Sequence, residues 1–235
     1  MFFKNRTYKF NHPNKRVYNY LAYNCGEKFI IKYSKFFKGS AVDLGSGSSP
    51  YKKFILTKVS KYTSVDWSNC LHDNKFDIVA DLNLALPIED NSFDTILSFS
   101  TLEHLSEPQL HLKEAYRICK KKGVIFLQIP FNWQLHEQPY DFFRYTEFGI
   151  KKLLQNAGFK GITVEAQSGL FTTLALKLNY FLTRFIKGPE LLKGFVFFIF
   201  RPIWITTQTL APILDHLDRN WKTETSFYSV IGFKE

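Results

Sequence analysis

Cysteine is scarce in this chain of 235 residues: Cys25, Cys70 and Cys119 are far apart, odd in number and form no CxxC pair. Neither a disulfide framework nor a cysteine-rich zinc site is indicated, and a reducing, cytoplasmic compartment fits. Acidic residues are nearly missing from one end. Between Met1 and Ser40 nine basic residues face Glu27 alone, a net of +8 within a whole-chain charge of +10. The opening MFFKNRTYKFNHPNKR is broken by charge too early to supply a signal-peptide core. A clean membrane span of about twenty residues is also lacking, since Arg201, Pro202 and Pro212 interrupt the most apolar segment.

Apolar and aromatic residues, at 45% and 17%, are plentiful enough for one α/β domain with an elaborated end. Within the basic arm Val17, Leu21, Cys25, Phe29, Tyr33 and Phe37 recur every four residues, which predicts an amphipathic helix over 14–37. Short apolar runs at 40–44, 62–67, 76–80, 93–99, 123–129 and 161–165 read as strands. Helical patterns at 50–59, 107–120 and 146–157 fall between them, the last closed by Gly158. The alternation predicts a Rossmann-like, doubly wound, mostly parallel α/β sheet, with its ligand at the carboxyl ends of the strands.

The first strand leads into AVDLGSGSSPY, residues 41–51. Gly45 and Gly47 permit a tight turn and a close ligand approach, but the third glycine of a dinucleotide fingerprint is absent. Asp43 would repel a pyrophosphate and suits a positively charged amino-acid moiety instead. Alone, the pair of glycines is equally a simple turn. Asp66, 23 residues beyond Asp43, stands where an acid accepts hydrogen bonds from ribose hydroxyls.

Next come DIVADLNLALPIEDNSFDTILSFSTLEHL and HLKEAYRICKKKGVIFLQIPF. In this order the segments resemble the class I S-adenosylmethionine-dependent methyltransferases of the type 11 group, over about 41–159. The closing SFYSVIGFKE looks like that family's antiparallel last strand in a seven-stranded sheet. The resemblance implies S-adenosylmethionine as cofactor. It places Asp43, Gly45, Ser46 and Gly47 around the methionine part, Asp66 and Trp67 at the ribose, Asp81 and Leu82 at the adenine, and Ser100 again on the methionine side. Glu103 and His104 belong to the LEHL that follows. By themselves Asp66 and Asp81 also read as a cap and a turn former, and His104 as a packed histidine. The chain departs from the family pattern in KKKG, Lys120 to Gly123, where a glycine pair is usual, and in SSPY after the first loop.

Methyl transfer from a sulfonium needs alignment, exclusion of water and, for a hydroxyl acceptor, removal of a proton. The loop NWQLHEQPYDFFRYTEFG has the lining for this, and its His136, Pro139, Asp141, Arg144 and Thr146 resemble a pattern in methyltransferases of bacterial surface-polysaccharide clusters. We take His136 as base or acceptor-positioning group, with Asp141 and Arg144 as acceptor contacts or supports. The plainer alternative is an Asp141–Arg144 ion pair and a helix cap at Thr146. His136 and Asp141 find no third metal ligand at convincing spacing, so no metal is expected.

Three regions follow: a basic helical arm over 1–39, a methyltransferase domain over 40–167 and 223–235, and an apolar helical insertion over 168–222. In the insertion Lys177, Arg184, Lys187, Lys193 and Arg201 flank aromatic and aliphatic residues. It reads as an interfacial helix or hairpin on an anionic inner membrane face, or as a lid or dimer contact against the arm. The expected acceptor is a sugar, on a lipid-linked glycan or as a small molecule. A quinone or lipid is the second choice, and a cofactor-binding scaffold without catalysis the bland one. RNA is disfavoured as a partner, because neither an RNA-binding module nor an NPPY-type loop accompanies the basic arm. Nothing in the pattern fixes an oligomeric state.

Overall fold

A computed structural model describes residues 8–68 and 75–235, so Lys4, Arg6 and Cys70 lie outside the described residues. Seven strands form one sheet: β1 (Ser40–Leu44), β2 (Lys61–Asp66), β3 (Ile78–Val79), β4 (Phe93–Phe99), β5 (Cys119–Pro130), β6 (Lys160–Ala166) and β7 (Phe227–Phe233). Their order is β3-β2-β1-β4-β5-β7-β6. The first five run parallel, and β7 lies antiparallel between β5 and β6. The chain winds outward from β1 through β2 to β3, then returns to lay β4 on the other side of β1. Loops after β1 and β4 therefore diverge at the switch in strand order, where a crevice must open.

Alternation along β5 shows how the sheet is covered on both faces. Val124 and Phe126 join Ile30, Tyr33 and Phe37 of the arm and Phe54 and Ile55 of α2 (Lys52–Ile55). Ile125, Leu127 and Ile129 face the other way, onto Leu112, Ala115 and Ile118 of α3 (Pro108–Ile118) and Ile150 and Leu154 of α4 (Glu147–Ala157). The α4 limits agree with the expected ones. Thr146 accepts a hydrogen bond from the Gly149 N–H at 3.1 Å, and Gly158 closes the helix at φ 112°.

Other boundaries differ. Of 50–59 only the four residues of α2 are helical, and 76–80 shortens to two strand residues. The fifth strand starts at Cys119 because Lys120–Gly123 is absorbed in a register shift against β4. There Lys122 adopts φ 60°, the conformation for which a glycine is otherwise used.

The arm helix α1 spans Tyr20–Tyr33, shorter than the expected 14–37. The Asn19 side chain accepts from the Arg16 N–H at 2.6 Å and donates to the Asn14 carbonyl at 3.1 Å, which stabilises a turn ahead of the helix. The four-residue stripe is buried only in part, since each step of four turns about 40° past a full circle. Leu21, Tyr33 and Phe37 are buried, Val17, Cys25 and Phe29 are half-buried, and Gly26, Glu27 and Ile30 take the other inner positions. The basic face is partly neutralised inside the fold: Lys15 pairs with Glu27 at 2.6 Å and Lys32 with Glu165 of β6 at 2.5 Å.

The insertion is a helical hairpin of α5 (Leu170–Thr183) and α6 (Glu190–Asp215). Pro202 and Pro212 do not break α6, which runs 26 residues and is long and apolar enough, by length and composition alone, to cross a membrane. That corrects the expectation that the prolines interrupt the segment. Asp215, at the far end of α6, accepts backbone hydrogen bonds from Gly169, Phe171 and Thr172 at 2.8–3.1 Å and so caps α5. The arm and hairpin are joined by polar contacts as well: Gln208 accepts from the Leu21 N–H at 2.8 Å and donates to the Val17 carbonyl, and Asn179 donates to the Tyr18 carbonyl at 3.1 Å.

Candidate functional site

A single cavity of about 630 Å³ opens at the carboxyl ends of β1, β2 and β4, a volume suited to a small-molecule ligand. Its floor is the loop after β1. Gly45 sits at φ 78° and a Cβ there would overlap the Thr101 side chain, so only glycine fits. Gly47, at φ 47°, donates its N–H to Asp66 Oδ2 at 2.8 Å, while the Trp67 N–H donates to Oδ1 at 2.9 Å. Asp66 thus fastens the first loop to the end of β2 and keeps further lone pairs for a ligand. The Ser46 hydroxyl is buried with no protein partner.

Gly45, Ser46, Gly47, Asp66, Trp67, Asp81, Leu82 and Ser100 all line this cavity, as the sequence places them. Asp81 is also a turn former, accepting from the Asn83 N–H at 2.8 Å. Ser100 holds φ 50°, a strained conformation at the end of β4.

Asp43 is the exception. It lies beneath the loop, almost fully buried, and does not line the cavity. Its Oδ2 accepts from the Tyr62 hydroxyl at 2.5 Å, Oδ1 has no partner, and burial pushes the carboxyl up to about 7. A buried acid held above its ordinary value penalises the folded state as it ionises, so this penalty is absent at pH 3 and complete above pH about 7. In urea titrations of the unliganded protein, Asp43→Asn is expected to gain a few kcal/mol relative to the parent as pH rises through that window. Parallel stability curves for the two proteins would refute the assignment.

His104 and His136 also line the cavity, and their rings meet edge to face with centroids 4.7 Å apart. Asp141 and Arg144 do not reach the cavity. They form a two-pronged ion pair behind His136, with N–O distances of 2.6 and 2.7 Å. Asp141 also accepts the His136 N–H at 2.9 Å, and Arg144 donates to the Gln134 and Phe143 carbonyls at 2.9 and 2.8 Å. Burial alone would raise the Asp141 carboxyl, but these hydrogen bonds hold it down to about 2. Of the roles expected for the two, acceptor contact or support, this geometry is that of the supporting ion pair, which positions His136 and its loop. Burial also holds the His136 imidazole below its ordinary pKa, which keeps it neutral and able to accept a proton.

Sequence reasoning passed over the groups that finish the site. Glu103 is wholly buried next to both histidines, and burial raises its carboxyl to about 8. His12, Asn14 and Tyr23 of the arm and Tyr180 of α5 also line the cavity, so the arm covers its own chain's site. No spacing signal links residues so far apart; only the LEHL and H-P-D-R-T motifs pointed to the right loops.

Residues 42–127 match the family described as Methyltransferase domain, of the type 11 group. No curated protein matches the chain significantly. Among solved structures the chain is similar to phosphoethanolamine N-methyltransferase 2 of Haemonchus contortus in complex with S-adenosyl-L-methionine, at 15% identity and TM-score 0.57. That alignment covers 93% of this chain and 56% of the other, so the chain spans little more than half of that relative's length. It is similar also to an S-adenosylmethionine-dependent methyltransferase of Archaeoglobus fulgidus, at 15% identity, TM-score 0.57, and 91% and 94% coverage. The cyclase SpnF matches with 14% identity, TM-score 0.60, and 98% and 87% coverage. At such identities the likeness shows the fold, which hosts more than one chemistry. The match covers 42–127, under half of the chain, and is to a family of methyltransferase domains that take S-adenosylmethionine as methyl donor.

Proposed function

We propose that the chain transfers a methyl group from S-adenosylmethionine to a hydroxyl of a sugar-like acceptor, on a glycan or a lipid-linked carrier, at an anionic membrane face. The observation that carries this reading is the continuity of one cavity. Asp66 and Asp81, the glycine loop and the His104–His136 pair all line it. A cofactor held by the two aspartates through its ribose and adenine leaves its sulfonium near the glycine loop, facing the histidines. Gly45, Ser46, Gly47, Leu82, Trp67 and Ser100 complete that half. His136 removes the acceptor proton as the methyl moves. The acceptor half carries Trp133, Tyr140 and Tyr180 with the amides Gln128, Gln134 and Gln138, a pairing of flat apolar faces and hydrogen-bonding groups that suits a sugar ring.

The membrane part of the reading rests on the hairpin's outer surface. Phe195 and Phe198 are 62% and 73% exposed, and Phe181, Phe185, Leu191 and Ile199 are exposed beside them. With Arg184, Lys187, Lys193 and Arg201 close by in sequence, this is the composition of a surface-seated element on anionic lipid. Tyr180 of the same helix α5 faces the cavity, which also favours a second reading in which a quinone or lipid enters from the bilayer. The test is incubation of the purified chain with tritiated S-adenosylmethionine and a membrane fraction. Label is expected in solvent-extracted glycolipid, and sedimentation with phosphatidylglycerol vesicles is expected to be lost in Phe195→Glu/Phe198→Glu. Label confined to quinone would select the second reading, and label in RNA with no vesicle binding would reject both.

A further inference from the structure

We propose that Glu103, His104 and His136 bind a divalent cation of the zinc type at the acceptor end of the cavity. The Glu103 side chain is fully buried and neither carboxylate oxygen has a hydrogen-bond partner. Leaving such a group without a partner is costly. The Nε2 atoms of His104 and His136 lie 3.7 and 3.8 Å from Oε1, too far for hydrogen bonds.

The other ring nitrogens explain why. His104 Nδ1 lies 2.9 Å from the Tyr140 carbonyl, and His136 Nδ1 lies 3.2 Å from both Asp141 Oδ2 and the Gln134 carbonyl. These partners are acceptors, and for His136 they lie closer than the Arg144 Nη2 donor at 3.5 Å, so each Nδ1 carries the proton and each neutral ring presents an Nε2 lone pair toward Glu103. The two imidazoles and the Glu103 carboxyl thus converge, each offering one ligand atom, all within 4.8 Å of one another. A cation is what such a set lacks. Ligand bonds of about 2.1 Å in a tetrahedron give edges of roughly 3.4 Å, so the two Glu103–histidine separations of 3.7 and 3.8 Å close onto an ion with shifts of a few tenths of an ångström. Carboxylate and carbonyl acceptors behind metal-binding imidazoles are the arrangement that orients such ligands. Glu137, its Oε2 3.7 Å from His104 Nε2 and half exposed, stands at the open side. Two imidazoles with a carboxylate favour zinc-like ions over magnesium or calcium.

The role of the ion rests on the methyl-transfer reading above; its binding does not. An acceptor hydroxyl lying on the cation becomes more acidic. Its oxygen then forms the new bond to the methyl carbon, the carbon–sulfur bond breaks with its electron pair left on sulfur, and the hydroxyl proton passes to Glu137 or to water, since His136 with its Nε2 on the ion serves as a ligand in place of the base.

The test is calorimetric titration of the full, EDTA-treated chain with Zn²⁺, and with Mg²⁺ for contrast. One Zn²⁺ per chain is expected, weakened about tenfold or more in both Glu103→Gln and His136→Gln. Folding is followed by circular dichroism and cofactor binding by S-adenosylmethionine titration. Should Glu103→Gln not fold, His104→Ala and the visible absorption of bound Co²⁺ report on the same ligands. No Zn²⁺ binding by folded protein, or equal affinity in the variants, overturns the proposal. A chain that takes up S-adenosylmethionine but no cation removes this inference alone, whereas one that takes up the cation but not the cofactor removes the methyl-transfer reading and leaves the site.

Discussion

Valine at position 45 is expected to abolish S-adenosylmethionine binding and to destabilise the protein by several kcal/mol. Two penalties coincide there. A β-branched residue at φ 78° is strained by its own backbone, and its Cβ would occupy the space of the Thr101 side chain. Thr101 cannot give way easily, because it begins the turn that carries Glu103 and His104, and its hydroxyl contacts the Leu44 carbonyl at 3.3 Å. Overpacking of this kind costs about 1–3 kcal/mol before the strain is added. Gly194 is the internal contrast: nothing lies within 4 Å of its Cβ position on α6, and alanine there should gain up to about 1 kcal/mol. Since Gly45→Val can unfold the chain, Asp66→Ala gives the cleaner reading of binding. It removes the acceptor for the Gly47 and Trp67 N–H groups and, on our assignment, the ribose contact. Calorimetry with S-adenosylmethionine decides: unchanged affinity in folded Gly45→Val and Asp66→Ala protein would detach the cofactor from this loop.

His136→Ala should behave in the opposite way, with cofactor affinity within about twofold of the parent and turnover lower by ~10²–10⁴. Asp66 is held by the Gly47 and Trp67 N–H groups and Asp81 by Asn83, so loss of the His136 side chain leaves the proposed cofactor contacts in place. Its removal takes away the group we assign to proton transfer and one of the three proposed cation ligands. The measurement is transfer of tritiated methyl to the membrane fraction, alongside cofactor titration. Full turnover in this variant would favour a binding scaffold or an acceptor needing no base. Asp141→Asn helps to separate positioning from chemistry: it breaks the ion pair with Arg144 yet leaves the imidazole, so a smaller loss than His136→Ala is expected.

How far the site could be read from the chain differs from residue to residue. The strand-end residues Gly45, Gly47, Asp66, Asp81 and Leu82 were readable because each follows its strand at a short, fixed distance. The same local logic located the α4 cap, where Thr146 and Gly158 bracket a helix whose signals are all within a few residues. Asp43 was misplaced by the same reasoning, since strand alternation at a sheet centre does not reveal which carboxylate meets the cavity and which meets Tyr62. For Asp141 and Arg144 the sequence left acceptor contact and a mutual ion pair both open, and their strongest partners are each other and the backbone of their own loop.

The sequence by itself determined the strand-and-helix alternation, the sheet class and the loops that build the cavity, because hydrophobic period and turn residues act over a few positions. Only the tertiary structure decided the rest. It closed the arm over its own site through Gln208 and Asn179, continued α6 through two prolines, and set the unpaired Glu103 carboxylate between His104 and His136. Those outcomes depend on contacts between segments up to 191 residues apart, whose geometry is fixed by packing on the sheet and leaves no periodic trace along the chain.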